Sequence, residues 1–339
     1  MLPWMIRLLP FLVVAVLPGL QEPKPAAPAP QKPAAPDVKP AAGGVKPAAG
    51  GVKPAAGGEE PAAAPKEELG EPIAFYYENG IKSREGRLYR GRREGMWKGW
   101  FDSGAPQYEG AFHNYQRTGR WVYWDTNGRK KSEGAFTNGQ RTGKWTVYHD
   151  TGKVQSEGEY DRGDRTGRWI FNTPDGTRSK EGEFKDGQKS GPWTLYFRQS
   201  GKKFAEGPME NGVRNGVWRR YFENGQVEFE GRFERDKEEG LFKRWTQDGA
   251  REAEGNYVHG LRDGEWVGFH PNGQKSYQGS MRVDKAEGAW TYWFANGQKQ
   301  SEGTLQGGQR TGTWNFWLDD GSPDTENTGE YVNGKKKKP

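Results

Sequence analysis

Ten aromatic residues recur along this chain at a nearly fixed interval. Trp97, Trp121, Trp145, Trp169, Trp193, Trp218, Phe242, Trp266, Trp290 and Trp314 are separated by 24 residues, with one step of 25. A period in this range means that one small supersecondary unit is stacked many times, each copy burying its apolar face only against its neighbours. Every aromatic of the series is preceded at two positions by Gly, from Gly95 to Gly312. Seven residues after it, or eight after Trp193, stands another Gly, commonly within a pair such as Asn127-Gly128, Asp175-Gly176, Asn224-Gly225 or Asn296-Gly297. Asn and Gly tolerate positive φ, so these pairs predict tight type I′ hairpin turns.

The second half of each unit carries a Glu-Gly pair (Glu133-Gly134, Glu157-Gly158, Glu181-Gly182) and, two residues later, an apolar side chain. That column reads Leu88, Phe112, Phe136, Tyr160, Phe184, Met209, Phe233, Tyr257, Met281, Leu305 and Tyr331. A second Gly-containing loop, such as Asn138 to Gly143, then leads into the next Trp. Each unit is therefore two short strands and two turns. Gly recurs too often for a helix to persist. The 51 Gly and the 15 Trp, 14 Tyr and 16 Phe suit short strands, although the apolar fraction is only 32%. The fold expected is all-β: an elongated single-layer antiparallel sheet of about ten hairpins, or about 20 strands. A hairpin meander is favoured over a solenoid because tight turns demand antiparallel neighbours.

The repeating pattern Glu-Gly-x-Phe-x-x-Gly-x-x-x-Gly-x-Trp-x-x-Tyr-x-x-x-Gly, as in Glu133 to Gly152, resembles the MORN repeat, and most closely the MORN-repeat-variant family of bacterial proteins labelled antitoxin-like. The resemblance spans residues 75–334. Conventional MORN repeats have Gly-x-Gly where this chain has Gly143-x-Trp145, so their lipid-binding role is not carried over. What the resemblance implies is a single-layer antiparallel sheet used for binding or scaffolding.

The ends differ from the array. One cation, Arg7, precedes the apolar run Leu8 to Leu17, the pattern of an export signal over residues 1–20. Cleavage near Gly19 or Leu20 places the protein in the periplasm, at the cell surface or outside; an uncleaved membrane anchor is the alternative. Residues 21–70 are rich in Pro, Ala, Gly and Lys, with three copies of Val-Lys-Pro-Ala-Ala-Gly-Gly. Such a segment buries too little apolar surface to offset chain entropy and is expected to be a disordered linker. The repeat array is assigned to 71–334 and a basic tail to 335–339, whose Lys335, Lys336, Lys337 and Lys338 could touch an anionic membrane or envelope surface.

Charge narrows the function. Residues 71–334 hold 40 Lys/Arg against 39 Asp/Glu, too balanced for a nucleic-acid groove despite the overall +6. The chain has no Cys, so thiolate metal sites and thiol nucleophiles are excluded. His113, His149, His259 and His270 fall at unrelated offsets with no recurring partner, which argues against a catalytic triad. Metal-ligand spacing is likewise missing, and no cofactor is implied. The Glu of each Glu-Gly pair lies about 9.6 Å from its next copy, too far to share a cation. Pairing with Lys/Arg on neighbouring strands is its expected role.

The Trp series and Phe112, Phe136, Tyr160, Phe184, Phe233 and Tyr257 are assigned to the core, each ring covering its copies in adjoining units. Three residues past each comes a second set: Trp100, Trp124, Tyr148, Tyr196, Tyr221, Trp245, Phe269, Trp293 and Trp317, with Asn172 in the remaining place. Strict alternation puts it on the opposite face, unless a bulge reunites the two. These nine side chains are the candidate binding residues, read as exposed stacking platforms. A protein or a cell-envelope polysaccharide is the expected partner, a non-catalytic scaffold the expected function, and an antitoxin-like module that masks a toxin the alternative.

Overall fold

A computed structural model of the protein describes residues 70–338. The export signal, nearly all of the linker and the last residue lie outside the described residues. Twenty-four strands, from Glu71–Tyr76 to Lys335–Lys336, form one open antiparallel sheet, and no helix is present among the described residues. Each strand pairs with its neighbours in sequence, so the order is an uninterrupted meander. The count exceeds 20 because partial units close both ends and because one strand is split into Val213–Arg214 and Gly216–Tyr221.

An ordinary unit alternates an eight-residue strand such as Lys130–Thr137 with a nine-residue strand such as Gln140–Tyr148. The two turns differ from the sequence expectation. At Asn127-Gly128 the amide of Asp125 bonds the carbonyl of Arg129, and Gly128 donates back to Asp125. Only Gly128 has positive φ, 77°. This is a three-residue loop ending in a left-handed glycine, not a type I′ turn. Asp125 imposes it, since its Oδ1 accepts the amides of Asn127 and Arg129, both at 2.9 Å. The two-residue turns with positive φ at both positions sit at the other end of each unit, as at Asn138 (50°) and Gly139 (79°). Val283, at 51°, is held in the same conformation despite its branched side chain.

The Gly two residues before each aromatic makes a bulge. Across one pair of strands Gly110 opposes Trp121 but Ala111 opposes Thr118, so Gly119 and Arg120 are extra residues. Gly119 takes up the slack at φ 63°, a conformation available to Gly at little cost. The bulge frees the carbonyl of Ala111 from the ladder, and the indole Nε1 of Trp121 donates to it at 3.1 Å. Eight of the nine tryptophans in the series make this bond, at 2.8–3.1 Å. The exception is Trp97, whose Nε1 is buried without a partner.

A second irregularity, between Tyr123 and Trp124, places its extra residue, Lys131, in the partner strand, so the Trp strand alternates without interruption and the two series occupy opposite faces. On the core face the ring two residues past the Trp stacks beside it, as Tyr123 does on Trp121 at 5.7 Å. The indoles do not lie against their own copies. A 24-residue period spans two strands, and the strand between inserts its apolar residue edge-on. Phe112 meets Trp121 at 5.0 Å and 87°, Phe136 meets Trp121 at 5.9 Å and Trp145 at 5.1 Å, and Tyr160 continues the series to Trp169. All ten ring residues of the series are buried, Trp314 completely, as are Phe112, Phe136, Phe184 and Phe233. Tyr160 and Tyr257 are half-buried and link successive stretches of the core.

A single layer leaves the outer side of these rings to be covered by other means. Arginines four residues before the Trp lie over them. The guanidinium of Arg141 stands 4.5 Å from the Trp145 ring and 5.2 Å from that of Tyr160, and Arg165 repeats this on Trp169 and Phe184. The basic tail is shorter than its sequence assignment, because a further Asn333-Gly334 turn brings Lys335–Lys336 back to pair with Tyr331 and Val332.

Candidate binding face

The face opposite the core is built from the Glu of each Glu-Gly pair, the cations around it and the aromatic three residues past the Trp. Glu133 shows the arrangement. Its carboxylate accepts from the Tyr148 hydroxyl at 2.5 Å, from Arg120 at 2.6 Å and from Lys130 at 3.0 Å. These three donors hold the Glu133 carboxyl at about 2 instead of 4.5. Burial and the adjacent carboxylate push Tyr148 up to about 12. Glu181 with Tyr196 and Arg168, and Glu206 with Tyr221 and Lys203, repeat the cluster. The recurring Glu is thus a cross-strand ion-pair residue.

A depressed carboxyl contributes stability that is complete above its ordinary range and is lost as pH falls through the folded-state value. The urea midpoint is therefore expected to drop between about pH 4.5 and pH 2, and Glu133→Gln to lose part of that dependence. Equal slopes for the two proteins over this window would refute the assignment.

The nine candidate binding residues lie together on this face, but none is exposed. Trp100, Trp124, Tyr148, Tyr196, Tyr221, Trp245, Phe269, Trp293 and Trp317 are all half-buried. The reason is a long cation from the preceding unit lying along most of the rings. Lys82 covers Trp100, Lys130 Tyr148, Lys203 Tyr221, Arg251 Phe269, Lys275 Trp293 and Lys299 Trp317, at 4.8–5.9 Å. Asn172 breaks the series and instead donates to the carbonyl of Val154.

Trp124 has Pro106 in the place of its covering cation, and a second unit, which sequence reasoning passed over, departs from the pattern more widely. Val227 occupies the place of the covering cation, leaving Trp245 without one. Lys243, two residues before Trp245, is paired in register with Glu254, but that carboxylate is taken by Arg251. Val217 and Leu241 stand where Arg120, Lys144 and Arg168 stand elsewhere, and both are half exposed, at 52% and 50%. Arg219, Tyr221, Val227, Glu230, Lys243 and Trp245 consequently line a groove of about 500 Å³. The signal was present in the sequence as a break in the repeat at these positions.

The histidines do not converge. His113 pairs with Glu94, His259 faces Glu239, and His149 and His270 bond the carbonyls of Asn172 and Trp293 across adjacent turns. Among the described residues no group of three or more His, Asp or Glu stands close enough to hold a metal ion.

Residues 141–162, 214–235, 262–282 and 286–306 match the model of the family described as MORN repeat variant. The MORN repeat variant is thus detected in four of the units. The first match begins in one Trp strand and ends at the next two-residue turn, so the MORN-variant unit corresponds to a Trp strand followed by its Glu-Gly strand. No curated protein matches the chain. Among solved structures, the crystal structures of TcdB2-TccC3 without its hypervariable C-terminal region, of TcdB2-TccC3-Cdc42 and of TcdB2-TccC3-TEV align with 78%, 74% and 76% of this chain. Identities are 12%, 13% and 11%, and TM-scores 0.17, 0.18 and 0.18. The chain covers only 15–16% of those chains.

Proposed function

We propose that this chain is an exported, non-catalytic repeat scaffold that holds a protein or cell-envelope partner along the sheet face opposite its tryptophan core. The reading rests chiefly on the groove beside Trp245. The repeat protects most of its second aromatic series with cations and ion pairs, and it relaxes that protection most widely beside Trp245, while the core beneath stays closed over Phe242. A fold that needed only to be stable has no use for such a departure. Export rests on the sequence of residues 1–20 alone. The near-balanced charge of the array and the dispersed histidines favour binding over nucleic-acid contact or catalysis.

The test is retention of partners from cell-envelope extracts on the immobilised full chain. Trp245→Ala is expected to abolish specific retention, whereas Arg165→Gln, on the core face, leaves it intact. Circular dichroism establishes that both variants keep the sheet. Retention unaffected by Trp245→Ala, in a folded variant, sinks the proposal.

A further inference from the structure

We infer that the groove beside Trp245 takes an anionic, β-linked polysaccharide carrying one carboxylate per disaccharide; this rests on the binding-face reading above and names its ligand class. The first ground is the backbone. Strands Gly216–Tyr221, Val227–Glu234 and Lys237–Trp245 are hydrogen-bonded on both sides, so no peptide can be added there as another strand. Recognition must run through side chains.

The second ground is spacing. Tyr221 and Trp245 hold equivalent positions in successive units, two strands or about 9.6 Å apart. An extended peptide repeats its side chains on one face every two residues, about 6.7 Å, and falls out of step. A β-1,4-linked glycan is a flat ribbon that presents the same face of its sugar once per disaccharide, a repeat close to the ring spacing. Its axial C–H groups suit the Trp245 ring left uncovered by Val227, as apolar faces suit aromatic ones. The Tyr221 side and Glu230 supply polar partners for hydroxyls.

The third ground is charge. Arg219 is engaged by Glu230 at 2.6 Å, whereas Lys243, in the same groove, has no ion-pair or hydrogen-bond partner among the described residues. One uncompensated cation per ring pair matches one carboxylate per disaccharide.

Calorimetric titration of the full chain tests this with three probes: cello-oligosaccharides oxidised to a carboxylate at C6 of alternate residues, neutral cello-oligosaccharides and poly-L-glutamate. The oxidised oligosaccharides are expected to bind about tenfold more tightly than the neutral ones, and Lys243→Gln to erase that preference. Val227→Lys restores the residue found at this place in five other units, so the fold is kept, with an unchanged thermal midpoint. By covering Trp245 it is expected to weaken both glycans at least tenfold. Preference for poly-L-glutamate, or glycan affinities unmoved by Val227→Lys and Lys243→Gln, overturns the inference. If neither glycan binds while envelope retention still depends on Trp245, the scaffold reading stands and the polysaccharide assignment falls.

Discussion

Gly134→Ala is expected to destabilise the array by about 3 kcal/mol, far more than an exposed Gly→Ala change in a strand. The Gly of each Glu-Gly pair lies directly beneath the ring of the following Trp, or of Phe242 at Gly231, and a Cβ at Gly134 would come within 3.0 Å of three ring atoms of Trp145. The same clash awaits at Gly86, Gly110, Gly158, Gly182 and Gly303. The indole cannot retreat, because its Nε1 is bonded to the carbonyl of Ala135, its edge meets Phe136 and Arg141 covers it from outside. Chemical denaturation measures the loss. The decisive comparison is the double-mutant cycle with Trp145→Ala, in which the alanine at 134 has no ring to strike and its cost largely disappears. A cost that is the same in both backgrounds would show that the glycine serves only backbone conformation.

Trp193→Ala should cost about 3–5 kcal/mol, the range for deleting a large buried ring. Phe171 and Phe184 lose a packing partner at 6.3 Å and 5.4 Å. The loss is also expected to be local. In a stacked array each unit is held by its immediate neighbours, so amide protection should fall in the units flanking Trp193 and persist in those around Trp121 and Trp290. Trp193→Phe should be milder, as Phe242 fills the equivalent place at 5% exposure. Its residual cost, about 1 kcal/mol, reflects the carbonyl of Glu183 losing the indole donor at 3.1 Å. Hydrogen exchange across the array decides between this account and a single global unfolding unit, which would lower protection everywhere equally.

Both predictions depend on features that the spacing of residues reveals only in part. A Gly two residues before a Trp announces a turn or a bulge, but whether it joins or separates the two aromatic series depends on which strand carries the extra residues. The Glu-Gly glycine is as regular as the Trp, yet the reason emerges only when Gly134 and Trp145 are seen opposite one another. The arginine four residues before the Trp recurs at Arg93, Arg117, Arg141 and Arg165 and was legible as a pattern, but its covering role follows from the absence of a second layer. Asn127-Gly128 and Asn138-Gly139 are the same dipeptide in two different turns. Local side chains decide between them: Asp125 closes the first as a three-residue loop, while the second joins Thr137 and Gln140 directly.

The amino-acid sequence by itself determined the all-β class, the hairpin unit, the antiparallel order and the absence of thiol chemistry. Those properties follow from period, composition and local turn preference, which act over a few residues or repeat identically in every unit. Tertiary structure alone decided that the indoles alternate with Phe and Tyr instead of meeting each other, that the second aromatic series is half-covered by cations, and that one groove opens beside Trp245. Each of these depends on a side chain some ten to twenty residues away in the chain, brought alongside by strand register and bulges, which no local rule specifies.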